Sequence, residues 1–197
     1  RIYPGRQRTL YCDCKYIRSG RSGGRISNLA CGYEPRKNEF RGKRLEWEHI
    51  VPAWFLGHTR SCWQEGHVLC VNSKGKPYKG RRCCAKVDEE FERAEADLHN
   101  IAPSVGELNG DRSNLPYGLT EGEPREYGRC DFEIDRDEDD VEPAPDVRGD
   151  VARVWFYMSE TYGVVIAPDS LSRFEEWSAA DPVDEWEERR DRRIERA

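Results

Sequence analysis

The chain has 197 residues, 37% of them hydrophobic and 36% charged, and a formal net charge of -6. That length suits one domain with an economical core, in which six Trp and nine Tyr supply much of the apolar area. No apolar run approaches the roughly 20 residues of a membrane-spanning helix, so a transmembrane helix is excluded.

The net charge hides a division. Residues 1–117 hold 21 Lys and Arg against 14 Asp and Glu, a balance of +7, whereas residues 118–197 carry -13. A basic portion is what a polyanion-binding site needs, although solvated surface alone would give the same counts. The excess of acid, with Arg preferred over Lys, is also compatible with a salt-rich habitat.

In chain order, the opening Arg1-Ile2-Tyr3 shows no apolar segment, so an export signal, if one existed, is expected to have been cleaved. Residues 1–47 read as loops and short strands, punctuated at Gly20, Gly23 and Gly24. From Leu45 to Val51, apolar and polar residues mix at period two, which predicts a strand limited by Pro52. Residues 66–86 read as an irregular basic loop. It carries Lys74, Lys76, Lys79, Arg81, Arg82 and Lys86; Gly75, Pro77 and Gly80 block regular structure, and Cys70 and Cys83 could close it.

Asp88 can cap a helix to Leu98, with Phe91, Ala94 and Leu98 at helical spacing. Asp97–Asn100 reads as a loop. Pro103-Ser104 opens a second helical segment with Val105, Leu108 and Leu115 on its apolar face. Residues 121–149, acidic from Asp135 to Glu142, read as a long exposed excursion tied near its start by Cys130. The C-terminal part, 150–197, is expected to be helical. Asp150 caps a helix that ends before Gly163, with Val151, Val154, Trp155 and Met158 facing inward. Asp169 caps another through Phe174 and Trp177, and a polar helix starts at about Val183. The expected fold is α+β, mixed and mainly helical, in a single domain over 1–197 with disulfide-stapled loops.

The eight Cys fall in close pairs of the forms C-x-C and C-C, which are poor zinc spacings, and His49, His58, His67 and His99 complete no zinc pattern. Disulfides are favoured over zinc, which points to an oxidising compartment, periplasmic or extracellular. Eight Cys allow on the order of a hundred connectivities, and the residues alone do not choose among them.

The chemistry concentrates in three places: Glu48-His49 at the strand end, Asp97–Asn100, and Asn109–Asn114. Hydrolysing a phosphodiester requires an activated water and a cation on the developing charge. A neutral His takes a proton near pH 7, and Mg2+ prefers oxygen ligands such as a carboxylate and an amide carbonyl. Neighbouring residues on a strand point to opposite faces, so Glu48 and His49 would share a site only through a bend.

Trp47-Glu48-His49-Ile50-Val51-Pro52-Ala53-Trp54, Gly57-His58, Cys62-Trp63-Gln64, Glu95–Asn100, Gly106-Glu107 and Asn109–Asn114 resemble the endonuclease I family of secreted and periplasmic bacterial nucleases. The likeness continues through Tyr127–Cys130, Tyr157-Met158-Ser159 and Pro182–Glu187. It implies a ββα-metal (His-Me finger) core and sequence-nonspecific cleavage of DNA, and of RNA too, to 5′-phosphate products. It also implies His49 as general base, Glu48 and Asn109 as ligands of Mg2+ (with Mn2+ or Ca2+ as alternative occupants), and Asn100 holding the loop that orients His49. Arg81 matches the arginine that contacts the scissile phosphate, with Arg82 the neighbour onto which the alignment could slip.

The resemblance and the spacing together suggest Cys12–Cys130, Cys14–Cys31, Cys62–Cys84 and Cys70–Cys83. His99, the competing base, is assigned a structural role, and His58 and His67 are read as structural or exposed. Trp47, Trp54 and Trp155 are read as core, and Asp111 with Arg112 as an internal ion pair. A secreted or periplasmic monomer, not membrane-bound, is expected. The alternatives are a non-catalytic nucleic-acid-binding module and a zinc-stabilised interaction domain.

Overall fold

The computed structural model describes residues 2–20, 23–27, 29–122 and 124–197. Two short strands open the fold, β1 (Tyr16–Ser19) and β2 (Gly23–Ile26), paired antiparallel. Next come α1 (Glu39–Gly42), capped by the Asn38 side chain, and β3 (Leu45–His49). β3 ends at His49, short of the expected run to Val51, because Ile50 and Val51 form a bend; Pro52 then introduces α2 (Ala53–Gly57), which is followed by α3 (Ser61–Gln64). Then follow α4 (Arg81–Val87), α5 (Glu89–Ala96) and a 3-10 turn over Leu98–Asn100. Asp88 caps α5 through its side chain, as its position before the first apolar residue predicts.

β4 (Ile101–Val105) pairs antiparallel with β3, from Leu45 opposite Val105 to His49 opposite Ile101. It passes directly into α6 (Gly106–Arg112). A Cβ on Gly106 would lie 2.7 Å from the Arg41 carbonyl oxygen and 2.8 Å from the Glu46 carboxylate, so only glycine lets the turn pack so closely. The centre of the molecule is thus two strands and a helix, with residues 50–100 inserted between the strands. The segment begun by Pro103-Ser104 is therefore strand before it is helix. In a two-stranded sheet every strand has an open edge, where proline's missing N–H is tolerated.

The basic segment also departs from expectation, because its last residues are helical. α4 starts after Gly80, whose φ is +83°. Neighbouring Cys83 and Cys84 point different ways from that helix, and each reaches its own partner.

Residues 121–149 are not simply an exposed excursion. They hold a hairpin of β5 (Phe132–Asp135) and β6 (Asp140–Pro143), with Phe132, Ile134 and Val141 buried. α7 (Pro145–Tyr162) starts five residues before Asp150, with Ala144 as its cap and proline in its first turn. It ends on Gly163 in the left-handed conformation, where the sequence placed its end. α8 (Pro168–Ala180) is capped by Ala167, with Asp169 in its first turn, and α9 (Glu185–Ile194) opens on an Asp184/Glu187 capping box. Val151, Val154, Trp155 and Met158 of α7 are buried, as are Phe174 and Trp177 of α8. The Trp155 and Phe174 rings lie 5.6 Å apart.

The eight cysteines form Cys12–Cys130, Cys14–Cys31, Cys62–Cys84 and Cys70–Cys83, and none is free. The pairing matches the one suggested by resemblance and spacing and leaves no thiolate for zinc. The fold is a mixed α/β single domain with small sheets. No helix among the described residues is long and apolar enough to cross a membrane.

Candidate active site

On β3, Glu46 and Glu48 are two residues apart and share a face. On α6, Asn109 and Arg112 are one turn apart and share a face. The two pairs meet. Asn109 Nδ2 donates to Glu46 Oε2 at 3.0 Å, and Arg112 Nη1 donates to Glu48 Oε1 at 3.1 Å. Arg112 also donates to the carbonyls of His49 and Ile50, both at 2.8 Å, and so fastens the end of the strand. The Tyr11 hydroxyl donates to Glu48 Oε1 at 2.9 Å, and the Arg112 guanidinium lies 4.6 Å from the Tyr117 ring centre. The Glu48 and Arg112 side chains are each 1% exposed. Burial pushes the Glu48 carboxyl up to about 7, against the opposing pull of Arg112 and Tyr11.

His49 belongs to the other face of the strand. Its pairing with Ile101 continues the ladder, so the bend that would turn Glu48 and His49 to one side is absent. His49 Nε2 lies 2.8 Å from the Glu95 carbonyl oxygen. A carbonyl only accepts, so Nε2 carries the proton and Nδ1 is left with a bare lone pair. Among the described residues nothing hydrogen-bonds to Nδ1. Burial holds the imidazole below its ordinary pKa, and the charge of Arg81 adds to this while the Glu95 carbonyl opposes it. The ring is therefore neutral and able to accept a proton at neutral pH.

Asn100 is fully buried and grips the segment after His49. Val51 N donates to Asn100 Oδ1 at 2.7 Å, Asn100 Nδ2 donates to the Val51 carbonyl at 2.9 Å, and Ile50 N donates to the Asn100 carbonyl at 3.0 Å. Arg81 is exposed in the first turn of α4 and pairs with the Glu95 side chain, the residue whose carbonyl holds His49. Arg82 instead lies over the Tyr78 ring at 5.1 Å.

The structure thus gathers His49 and Arg81 around Glu95, and Glu48 and Asn109 along one strand–helix contact. It does not join Glu48 to Asn109 by a hydrogen bond. The donor chemistry nevertheless suits a hard divalent cation: among the described residues neither Glu48 Oε2 nor Asn109 Oδ1 takes a hydrogen bond, and both are oxygens. The described residues contain no cluster of three or more His, Cys, Asp or Glu placed to hold a metal. Two protein oxygens completed by water and phosphate do not require such a cluster.

The sequence reading gave Glu46 and Glu95 no role at the site and paired Arg112 with Asp111 instead. Period two along β3 could have signalled Glu46. Glu95 acts on His49 through its backbone carbonyl, which no residue type announces. Arg112 does not pair with Asp111, because adjacent helical residues diverge. Asp111 instead bonds Arg36 at 3.1 Å and Lys37 at 3.3 Å. His99 is structural, with Nδ1 on Asp97 at 2.9 Å and Nε2 on Asp191 at 3.0 Å. Trp155 is core, but Trp54 is 38% exposed and stacks on His58 at 3.7 Å.

Residues 7–197 match the family described as Endonuclease I. An extracellular deoxyribonuclease of Aeromonas hydrophila is 42% identical over 196 residues, 98% of this chain and 79% of that protein. Endonuclease-1 of Buchnera aphidicola subsp. Acyrthosiphon pisum is 38% identical over 195 residues, 98% of this chain and 72% of its own length. An extracellular ribonuclease of Bacillus subtilis is 31% identical over 170 residues, 78% of this chain and 50% of that protein.

Proposed function

The chain belongs to the endonuclease I family, and from that premise we propose that it is a metal-assisted nuclease in which His49 Nδ1 is the general base. It cuts DNA, and RNA as well, without sequence preference. The observation that carries this reading is the tautomer of His49: Nε2 is tied to the Glu95 carbonyl, so the basic nitrogen is Nδ1.

His49 Nδ1 takes a proton from water as the water oxygen forms its bond to phosphorus. The bond from phosphorus to the 3′ oxygen breaks, the 3′ oxygen takes a proton from a second water as it leaves, and the phosphate stays on the 5′ end of the product. Asn100 keeps residues 50 and 51 in place and so fixes the ring beside them. Arg81 contacts the phosphate, which requires its guanidinium to exchange Glu95 for substrate. Glu48 Oε2 and Asn109 Oδ1 would hold Mg2+, with Mn2+ or Ca2+ able to take its place; with no bend to bring Glu48 and His49 to one side, this requires cation and base to reach the phosphate from different sides at the end of β3. The chemistry that such a cation supplies is neutralisation of charge developing on the phosphate.

Four disulfides require an oxidising compartment, and relatives carry extracellular and periplasmic names. The protein is secreted or periplasmic. The names of the relatives include both deoxyribonuclease and ribonuclease, which supports action on both nucleic acids.

Plasmid cleavage by disulfide-intact protein tests the function. Nicking and linearisation in Mg2+, lost with chelator and restored by excess Mg2+, is the expected result. Undiminished cleavage in chelator would remove the metal from the reaction, and DNA binding without cleavage in any divalent cation would leave only a binding module.

A further inference from the structure

We infer that the disulfide-closed loop over residues 66–80 docks duplex nucleic acid, seating Val68, Leu69 and Val71 in a groove while the surrounding cations hold phosphates. This rests on the nuclease reading and adds to it an apolar, groove-directed contact.

From Gly66 to Val87 the chain has six Lys and Arg and no Asp or Glu, in a protein with 38 acidic residues. Within that stretch Val68 is 82% exposed, Leu69 58% and Val71 45%. The exposure is not fraying, because the loop backbone is fixed. Val71 bridges Pro77, and Tyr78 N donates to the Cys70 carbonyl at 2.8 Å. Asn72 Oδ1 accepts from Lys74 N at 2.9 Å and Lys76 N at 3.0 Å. Lys86 Nζ donates to the Leu69 carbonyl at 2.6 Å, and Cys70–Cys83 closes the base.

Three exposed apolar side chains within four residues of one hydrogen-bonded, disulfide-closed loop offer a contact surface. The cations around them select a polyanion. Apolar side chains are also the groups that proteins insert against bases and sugars in a groove. The loop leads into Arg81, which pairs with Glu95 beside His49, so a duplex seated on it lies next to the reacting groups.

The test uses full-length, disulfide-intact protein and fluorescence anisotropy of a labelled DNA duplex in chelator, over a salt series. V68S/L69S is expected to weaken binding about tenfold with the slope of log affinity against log salt unchanged, because no phosphate contact is lost. K74Q/K76Q is expected to flatten that slope by about 1 to 2. Unchanged duplex affinity in V68S/L69S would overturn the proposal, as would a loss confined to phosphatidylglycerol vesicles, which would make the loop a lipid contact.

Hydrolysis of bis(p-nitrophenyl) phosphate, which has no groove for the loop to enter, should equal wild type in V68S/L69S. Its loss would mark the loop as part of the catalytic scaffold and equally overturn the proposal. If wild type hydrolyses neither plasmid nor ester, the nuclease reading fails, while anisotropy still decides the docking of the loop.

Discussion

Truncating Asn100 to Ala tests how the strand end is held. Asn100 and Val51 are both fully buried, and the Asn100 amide satisfies both polar groups of the Val51 backbone, at 2.7 and 2.9 Å. Alanine leaves one N–H and one C=O unpaired where water does not reach. Each costs about 1 to 3 kcal/mol, so Asn100→Ala should lower stability by about 2 to 6 kcal/mol, read as a drop in the urea midpoint at pH 7. Asn100→Asp separates hydrogen bonding from packing. It keeps an acceptor for Val51 N but sets a carboxylate oxygen, with no hydrogen to donate, against the Val51 carbonyl, so it should not restore stability. A loss below about 1 kcal/mol for Asn100→Ala, or full stability in Asn100→Asp, would refute the reasoning.

Arg112→Met should cost about 3 to 5 kcal/mol by chemical denaturation, because it leaves Glu48 buried without its partner; the double variant E48Q/R112M should recover part of that loss, and no recovery would argue against the pairing. The Asp97–His99–Asp191 group predicts a pH window of stability. The bond to Asp97 raises the His99 pKa above its ordinary 6.5, with burial opposing; its contribution is full below about 6.5 and is lost as pH rises through the raised value. Burial opposes the Asp97 charge, but hydrogen bonds from His99, Tyr162 and Tyr157 hold its carboxyl well below its ordinary 3.8; its contribution is full above about 4 and is lost as pH falls through the depressed value. The stability deficit of His99→Gln should therefore be greatest between about pH 4 and 6.5 and shrink in alkali. A deficit constant from pH 5 to 9 would contradict this.

Sequence alone carried unequal parts of the molecule. The strand ending at His49, the Asp88 cap and the Gly163 stop were legible because each depends on local chemistry: alternation, a capping side chain, a left-handed glycine. The cysteine pairs came from resemblance and spacing together. The β5–β6 hairpin was missed because its alternation, Phe132-Glu133-Ile134-Asp135, is short and lies in a segment whose acidity suggests solvent. Pro103 misled because it starts helices as readily as it sits on sheet edges.

At the site, His49 and Asn100 could be singled out by residue type. The contacts that set the tautomer and fasten the strand could not, because they pass through backbone carbonyls of Glu95, His49 and Ile50. The expected bend between Glu48 and His49 is absent, and α6 meets β3 through two residue pairs, Glu46 with Asn109 and Glu48 with Arg112.

The role of His49 as base is tested most directly by the plasmid cleavage rate of His49→Ala with and without added imidazole. Loss of a general base should slow cleavage by about 10² to 10⁴-fold. Imidazole, which can enter the vacated space and accept the proton, should restore part of that rate, increasingly with the fraction present as the neutral base. A His49→Ala variant that cleaves at the wild-type rate without imidazole would contradict the assignment.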